Sequence, residues 1–183
     1  WQYIADGTKI KAAEADAMYA GIVIDTNNFT NQTGVRTFEA AAFLRRNGAD
    51  VTRVRKLFRD DMQDYKARAA AISSAEIYRE AFSIGVCPSE GLPSPTIVCA
   101  QAANELLEIK GIKASVVMTE YHGLIYLSAR SIDEVNVQVM MEKLGGGGHR
   151  TIAGAQLSGI SMEEAKDRVK AVIDEMLQKG DIS

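Results

Sequence analysis

The chain of 183 residues is short of four things: cysteine (2), proline (3), histidine (2) and aromatic side chains (7%). Each shortage excludes something. Two cysteines, Cys87 and Cys99, cannot build a disulfide scaffold, and neither has the CxxC neighbour of a structural zinc site; they suit a reduced, cytosolic setting. Few aromatics argue against a broad stacking platform for single-stranded nucleic acid. Basic residues are not in excess either, with 21 Lys and Arg against 24 Asp and Glu and a formal charge of −3, so any anion binding is focused on a local site rather than spread over a basic coat. No apolar run approaches the roughly 20 residues that span a bilayer, and no signal peptide is visible. What remains, 46% hydrophobic and 25% charged residues, is the composition of a folded protein, long enough for one domain or two small halves. The chain opens at Trp1 in an extended-looking Trp1-Gln2-Tyr3-Ile4, which raises the expectation that it is a piece of a longer protein.

The first eighty residues read as mainly helical. Ala13, Ala17, Ala20 and Ile24 recur near helical spacing over Lys11 to Ile24. The polar stretch Asp25-Thr26-Asn27-Asn28-Phe29-Thr30-Asn31-Gln32-Thr33-Gly34 reads as a loop, because such side chains compete for local backbone hydrogen bonds. A helix over Thr37 to Asn47 with Phe38, Ala41, Ala42 and Leu44 inward comes next, stopped by Gly48; further helical pattern covers Val51–Arg59 and Met62–Glu80. All three prolines, Pro88, Pro93 and Pro95, fall between Ser83 and Pro95 together with Gly85 and Gly91, which predicts a linker over residues 83–95 between units 1–82 and 96–183.

Beyond it the pattern is α+β. Ile97 to Ile109 predicts a helix, Ala114–Thr119 and Leu124–Ala129 predict a hairpin through Glu120-Tyr121-His122-Gly123, and Glu134–Leu144 predicts a helix broken by Gly145–Gly148. Ala153–Ser158 predicts a third strand. Ser161 to Lys179 predicts the best-marked helix, with Ser161 and Glu164 as a capping box and Ala165, Val169, Val172, Ile173 and Met176 on one stripe.

Chemistry concentrates in a few places. Consecutive glycines, Gly145, Gly146, Gly147 and Gly148, let a backbone approach a ligand closely, and His149 adds a donor that can carry charge; a spacer or helix cap is the bland alternative. Arg130 at a strand end offers a planar fork of donors for a phosphate, with Ser131, Asn136 and Gln138 alongside, although Ser131 with Glu134 also fits a capping box and Arg130 a surface ion pair. Asp25 is the metal-ligand candidate, but one carboxylate cannot hold a catalytic divalent ion. His122 in a hairpin turn reads as an exposed polar residue, and Arg36, Glu39, Arg45 and Arg46 as the solvated face of a helix. No P-loop, HExxH or Ser/His/Asp order occurs.

In this order, Asp25-Thr26-Asn27-Asn28-Phe29, Thr33-Gly34-Val35-Arg36-Thr37-Phe38-Glu39-Ala40-Ala41, Ser128-Ala129-Arg130-Ser131, Asn136-Val137-Gln138 and Gly145–His149 resemble the DHH/DHH-associated phosphoesterases, and within them the membrane-bound cyclic-di-AMP phosphodiesterases. The resemblance covers nearly the whole chain. It implies an α/β protein: the helical C-terminal remnant of a DHH domain, then an α+β DHH-associated domain with a small mixed sheet. It implies two Mn²⁺ ions held by Asp and His residues of several motifs, with Asp25 at one ligand position, serving as both metal ligand and catalytic residue. Substrate binding falls by the same resemblance to Arg130, Ser131, Asn136, Gly145, Gly146, Gly147, Gly148 and His149.

The motifs that would supply the other metal ligands, including Asp-His-His itself, are absent from this sequence. The expectation is therefore a C-terminal part whose parent hydrolyses cyclic-di-AMP to pApA and which, alone, binds nucleotide weakly, holds no Mn²⁺ and hydrolyses nothing. The implied partners are a cyclic dinucleotide or short oligonucleotide and upstream DHH residues of the same chain, with a homodimer compatible and no membrane contact by this part. The parent would sit at the cytoplasmic face, anchored by upstream helices and carrying a PAS-like sensor and a degenerate GGDEF domain. Two other readings stand beside it: an oligonucleotide-degrading DHH phosphoesterase, whose D-T-x-x-F motif usually carries a Gly where this chain has Asn27-Asn28, and a non-catalytic nucleotide sensor.

Overall fold

The structure, a computed structural model, describes residues 7, 9–30 and 33–180. The Trp1–Ile4 segment and loop residues Asn31 and Gln32 lie outside the described residues. The chain divides into two compact units, Trp1–Asp60 and Asp61–Ser183.

Among its described residues the first unit is helical: α1 (Ala12–Asp25), α2 (Val35–Arg46) and α3 (Val51–Leu57). Its core is small, with Ala15, Leu44 and Ala49 buried and Ile10, Met18, Tyr19, Ile22 and Phe43 packed around them. Polar bonds supplement it. Asp16, only 9% exposed, accepts from the Asp50 amide at 2.6 Å and from Arg53 Nε at 2.6 Å, tying α1 to the start of α3. Those bonds, Arg53 first and then the Asp50 amide, hold the Asp16 carboxyl below the usual 3.8. Gly48, at φ 97°, ends α2 as expected, with the Ala49 amide reaching back to the Leu44 carbonyl at 3.0 Å. Two inward assignments fail on α2. Ala41 and Leu44 are buried, but Ala42 is exposed and Phe38 is 55% exposed, its ring stacked 5.6 Å from that of Phe29. A helix that presents a narrow stripe to two short neighbours leaves its remaining apolar residues outside.

The second unit is a six-stranded mixed sheet of order β1-β2-β3-β4-β6-β5 with helices on both faces. Its elements are α4 (Met62–Ser73), β1 (Glu76–Tyr78), β2 (Phe82–Val86), α5 (Pro95–Leu106), β3 (Ala114–Tyr121), β4 (Leu124–Ser131), α6 (Val137–Glu142), β5 (Gly147–Gly148), β6 (Ile152–Ser158) and α7 (Met162–Lys179). Period-two alternation sorts the strands. Phe82, Ile84, Val116, Met118, Ile125, Leu127, Ala129, Ala153, Ala155 and Leu157 point to one face, where Val137, Met140 and Met141 and the Ala165–Met176 stripe of α7 cover them. That stripe and the Ser161–Glu164 capping box are as the periodicity predicts. On the other face Val117 joins α4 and α5 in a second core around Ala71, Val98, Ala102 and Leu106.

Three sequence expectations change here. The helix predicted over 62–80 stops at Ser73; Glu76–Tyr78 pairs antiparallel with Phe82–Val86 through a three-residue turn in which Arg79 and Glu80 have φ of 49° and 63°. Pairing with a buried neighbour outweighs helical propensity. The linker predicted over 83–95 is not one throughout: Ser83–Val86 lies in strand β2, parallel to β3 and interior to the sheet, and the Cys87 amide extends the pairing to the Met118 carbonyl at 2.8 Å. Only the stretch between Cys87 and Pro95 is loop, and Pro95 is the first residue of α5, where a missing N–H costs nothing. The two compact units accordingly divide at Asp60 and Asp61. Finally, α6 begins later than expected. Its N-cap is Asn136, whose Oδ1 accepts from the Gln138 and Val139 amides at 3.1 and 3.4 Å, so the Ser131–Glu134 capping box does not form.

Candidate functional site

In the helical unit, Asp25 is the last residue of α1, exposed, and without a hydrogen-bond or ion-pair partner among the described residues. The turn after it is left-handed. Asn27, Asn28 and Phe29 all have positive φ, at 43°, 58° and 66°, a conformation that costs L-residues energy. Thr26 secures it: its Oγ1 donates to the Ile22 carbonyl at 2.7 Å and accepts from the Phe29 amide at 2.9 Å. The fold thus fixes the D-T-N-N-F segment in a strained conformation and leaves its carboxylate bare. No group of three or more His, Cys, Asp or Glu is placed to hold a metal ion among the described residues, so a two-metal centre does not fit this chain's residues by themselves.

The sheet unit holds the second constellation. Antiparallel pairing sets Ser115, Arg130 and Ile152 in one cross-strand row, Val117, Ser128 and Gly154 in the next, and Thr119, Tyr126 and Gln156 in a third. These rows share the face opposite α6 and α7. A cleft of about 530 Å³ opens there, lined by Tyr126, Leu127, Gly145, Gly146, Gly154, Ala155 and Gln156. Arg130 is half-buried beside it on the same face: Nε donates to Asn104 Oδ1 at 3.0 Å and Nη1 to the Ala129 carbonyl at 2.9 Å, leaving Nη2 without a partner among the described residues. Burial lowers its pKa, and no carboxylate pairs with it among the described residues. A desolvated guanidinium with an open donor is a place for an anion.

The glycine run is placed differently from a simple anion nest. Gly145, at φ 79°, closes α6: its amide bonds the Glu142 carbonyl at 3.0 Å and the Gly146 amide the Met141 carbonyl at 2.8 Å. Those two N–H groups are therefore committed to the helix end. The missing Cβ at Gly146 instead lets the run lie directly on the β6 backbone. A Cβ on Gly146 would collide with the Gly154 carbonyl oxygen, and one on Gly154 would sit 2.8 Å from the Leu127 carbonyl oxygen. Gly147 and Gly148 form β5 against Gly154 and Ala153, and a Cβ on Gly148 would sit 2.5 Å from Ala153 Cα. His149 closes the β5–β6 turn, donating its amide to the Ile152 carbonyl at 2.7 Å, and its exposed ring makes no hydrogen bond among the described residues. The neighbouring Arg150 is engaged, reaching Asp133 Oδ1 at 3.2 Å and the Asp133 carbonyl at 3.0 Å.

Two of the sequence candidates face elsewhere. Ser131 is buried on the α6 face, its hydroxyl donating to the Val135 carbonyl at 2.6 Å, and Asn136 is occupied in capping α6. Both brace the loop that leads from Arg130 into α6 rather than lining the cleft. Tyr126, Gly154 and Gln156, which do line it, escape a motif search. Period-two reading of β4 and β6 outward from Arg130 would have found them.

Residues 94–179 match the DHHA1 domain. It is 41% identical over 175 residues to the cyclic-di-AMP phosphodiesterase PdeA of Listeria monocytogenes, a match covering 95% of this chain and 26% of that protein. It is likewise 41% identical over 181 residues to the cyclic-di-AMP phosphodiesterase GdpP of Bacillus subtilis, covering 98% of this chain and 28% of that protein. The chain thus spans about a quarter of the length of these curated relatives. An exopolyphosphatase-related protein from Bacteroides fragilis has the same fold, with a TM-score of 0.80 at 22% identity over 91% of this chain and 51% of that one. No helix among the described residues is long and apolar enough to cross a membrane.

Proposed function

We propose that this chain is the nucleotide-holding C-terminal part of a phosphodiesterase that cleaves cyclic-di-AMP to pApA with two Mn²⁺ ions. The observation that carries the reading is Arg130: a half-buried cation with an open donor and no carboxylate partner among the described residues, beside a cleft floored by side-chain-free glycines. The relatives named for cyclic-di-AMP hydrolysis, at 41% identity, support the same substrate.

The division of labour comes from the residues. Arg130 grips a substrate phosphate through Nη2, with Asn104 fixing the guanidinium plane, and His149 adds a second donor from the β5–β6 turn. Gly146 and Gly154 keep the cleft floor open. In the helical unit Asp25 is one metal ligand; the remaining ligands come from a longer parent, together with the membrane anchor, PAS-like sensor and degenerate GGDEF domain. Bound divalent ions supply Lewis-acid polarisation and a hydroxide nucleophile in such centres. Residues 1–183 alone then bind nucleotide without turning it over. Calorimetric titration with pApA, paired with a cyclic-di-AMP hydrolysis assay in Mn²⁺, tests this: the expected result is measurable binding with no product, and Mn²⁺-dependent turnover by residues 1–183 overturns it.

A further inference from the structure

The stripe that begins at Arg130 does not end with the phosphate. Arg130, Ser128 and Tyr126 succeed one another on the same face of β4, so four residues, about 13 Å at ~3.3 Å per residue, separate the cation from the aromatic ring. A nucleoside monophosphate unit is of that scale. At the far end Tyr126 is directly opposite Gln156 on β6, where paired side chains come within contact distance, and both line the cleft. Tyr121 braces the tyrosine from the other side, ring centroids 6.4 Å apart at 55°. Gln156 is exposed and makes no hydrogen bond among the described residues, and Gly145 and Gly146 line the same cleft.

We infer that Tyr126 and Gln156 form a nucleobase subsite, an inference that rests on the nucleotide reading above. The ring offers a π-face to stack a base. The carboxamide offers one donor and one acceptor, the complement of adenine's N6–H₂ with N7 or N1. It also complements guanine's O6 with N1–H, so the carboxamide itself accepts either base. A carboxylate in its place discriminates by hydrogen-bond polarity. A carboxylate at 156 has no proton for N7 or N1 of adenine but accepts from N1–H and N2–H₂ of guanine.

Titrating residues 1–183 with pApA and with pGpG, alongside Tyr126→Leu and Gln156→Glu, tests the assignment. Unchanged thermal unfolding shows that each variant keeps its fold. The expected results are wild-type binding of both ligands, a loss of about tenfold in affinity for both in Tyr126→Leu, as removal of a stacking ring predicts, and a shift of preference toward pGpG in Gln156→Glu. Wild-type binding of pApA that both variants retain with unchanged selectivity overturns the base subsite and leaves the phosphate site standing. Wild-type binding of neither ligand overturns the nucleotide reading, and this inference with it.

Discussion

The two units of this chain carry comparable shares of apolar sequence to different ends. In the sheet unit, residues from four strands and two helices, with Val135 between them, close into a core of twenty buried side chains, and a second core forms under α4 and α5. In the helical unit, among the described residues, Ala15, Leu44 and Ala49 form the buried cluster, while Ile24, Val35, Phe38, Val51, Leu57 and Phe58 are exposed. A sheet buries both its faces against helices and leaves few apolar side chains over; three short helices cannot cover one another in that way. Conformational rigidity is thus built in where the cleft lies, and the Asp25 segment depends on local bonds such as those of Thr26.

The comparison is broken most severely at the centre of the sheet unit. Ile173→Ala on α7 removes a fully buried side chain and is expected to cost about 2–5 kcal/mol, read as a fall in the denaturant midpoint of the sheet unit. Gly146→Ala comes next: its methyl meets the Gly154 carbonyl, and the forced backbone shift is expected to cost roughly 1–3 kcal/mol and to close the cleft to pApA. In the helical unit Phe38→Ser, at an exposed ring stacked on Phe29, is expected to cost no more than about 1 kcal/mol and to improve solubility, whereas a loss matching Ile173→Ala would show that Phe38 is covered.

The smallest effect sharpens the comparison through pH. Asp16 is held below 3.8 by Arg53 and the Asp50 amide, so its contribution is complete above that value and is lost as pH falls through the lower folded value. Asp16→Asn therefore flattens the acid limb of the helical unit's unfolding curve below about pH 4, measured by circular dichroism, and leaves the acid limb of the sheet unit unmoved.

Much of the fold was legible wherever local pattern and tertiary packing agree. The α7 stripe and its Ser161 cap, the β3–β4 hairpin and the Gly48 stop needed nothing beyond spacing. Legibility failed where a buried neighbour decides. Glu76–Tyr78 has no strand signal of its own and pairs because β2 lies beside it, and three prolines drew attention away from Phe82–Val86, whose own short apolar run is an interior strand. At the site, Arg130, His149 and the glycines were visible as residue types, but not the glycines' work of closing α6 and packing on β6, which depends on the register of β6. Ser131 stands next to Arg130 in sequence and on the opposite face of the sheet, a consequence of strand alternation that proximity in a motif conceals.

The central claim is that the sheet unit holds a nucleotide phosphate at Arg130. Calorimetric titration of residues 1–183 and of Arg130→Ala with pApA and with the unphosphorylated dinucleoside ApA tests it most directly. The account predicts that the wild-type chain prefers pApA and that Arg130→Ala removes the preference while leaving unfolding unchanged; an equal preference in both proteins would contradict it.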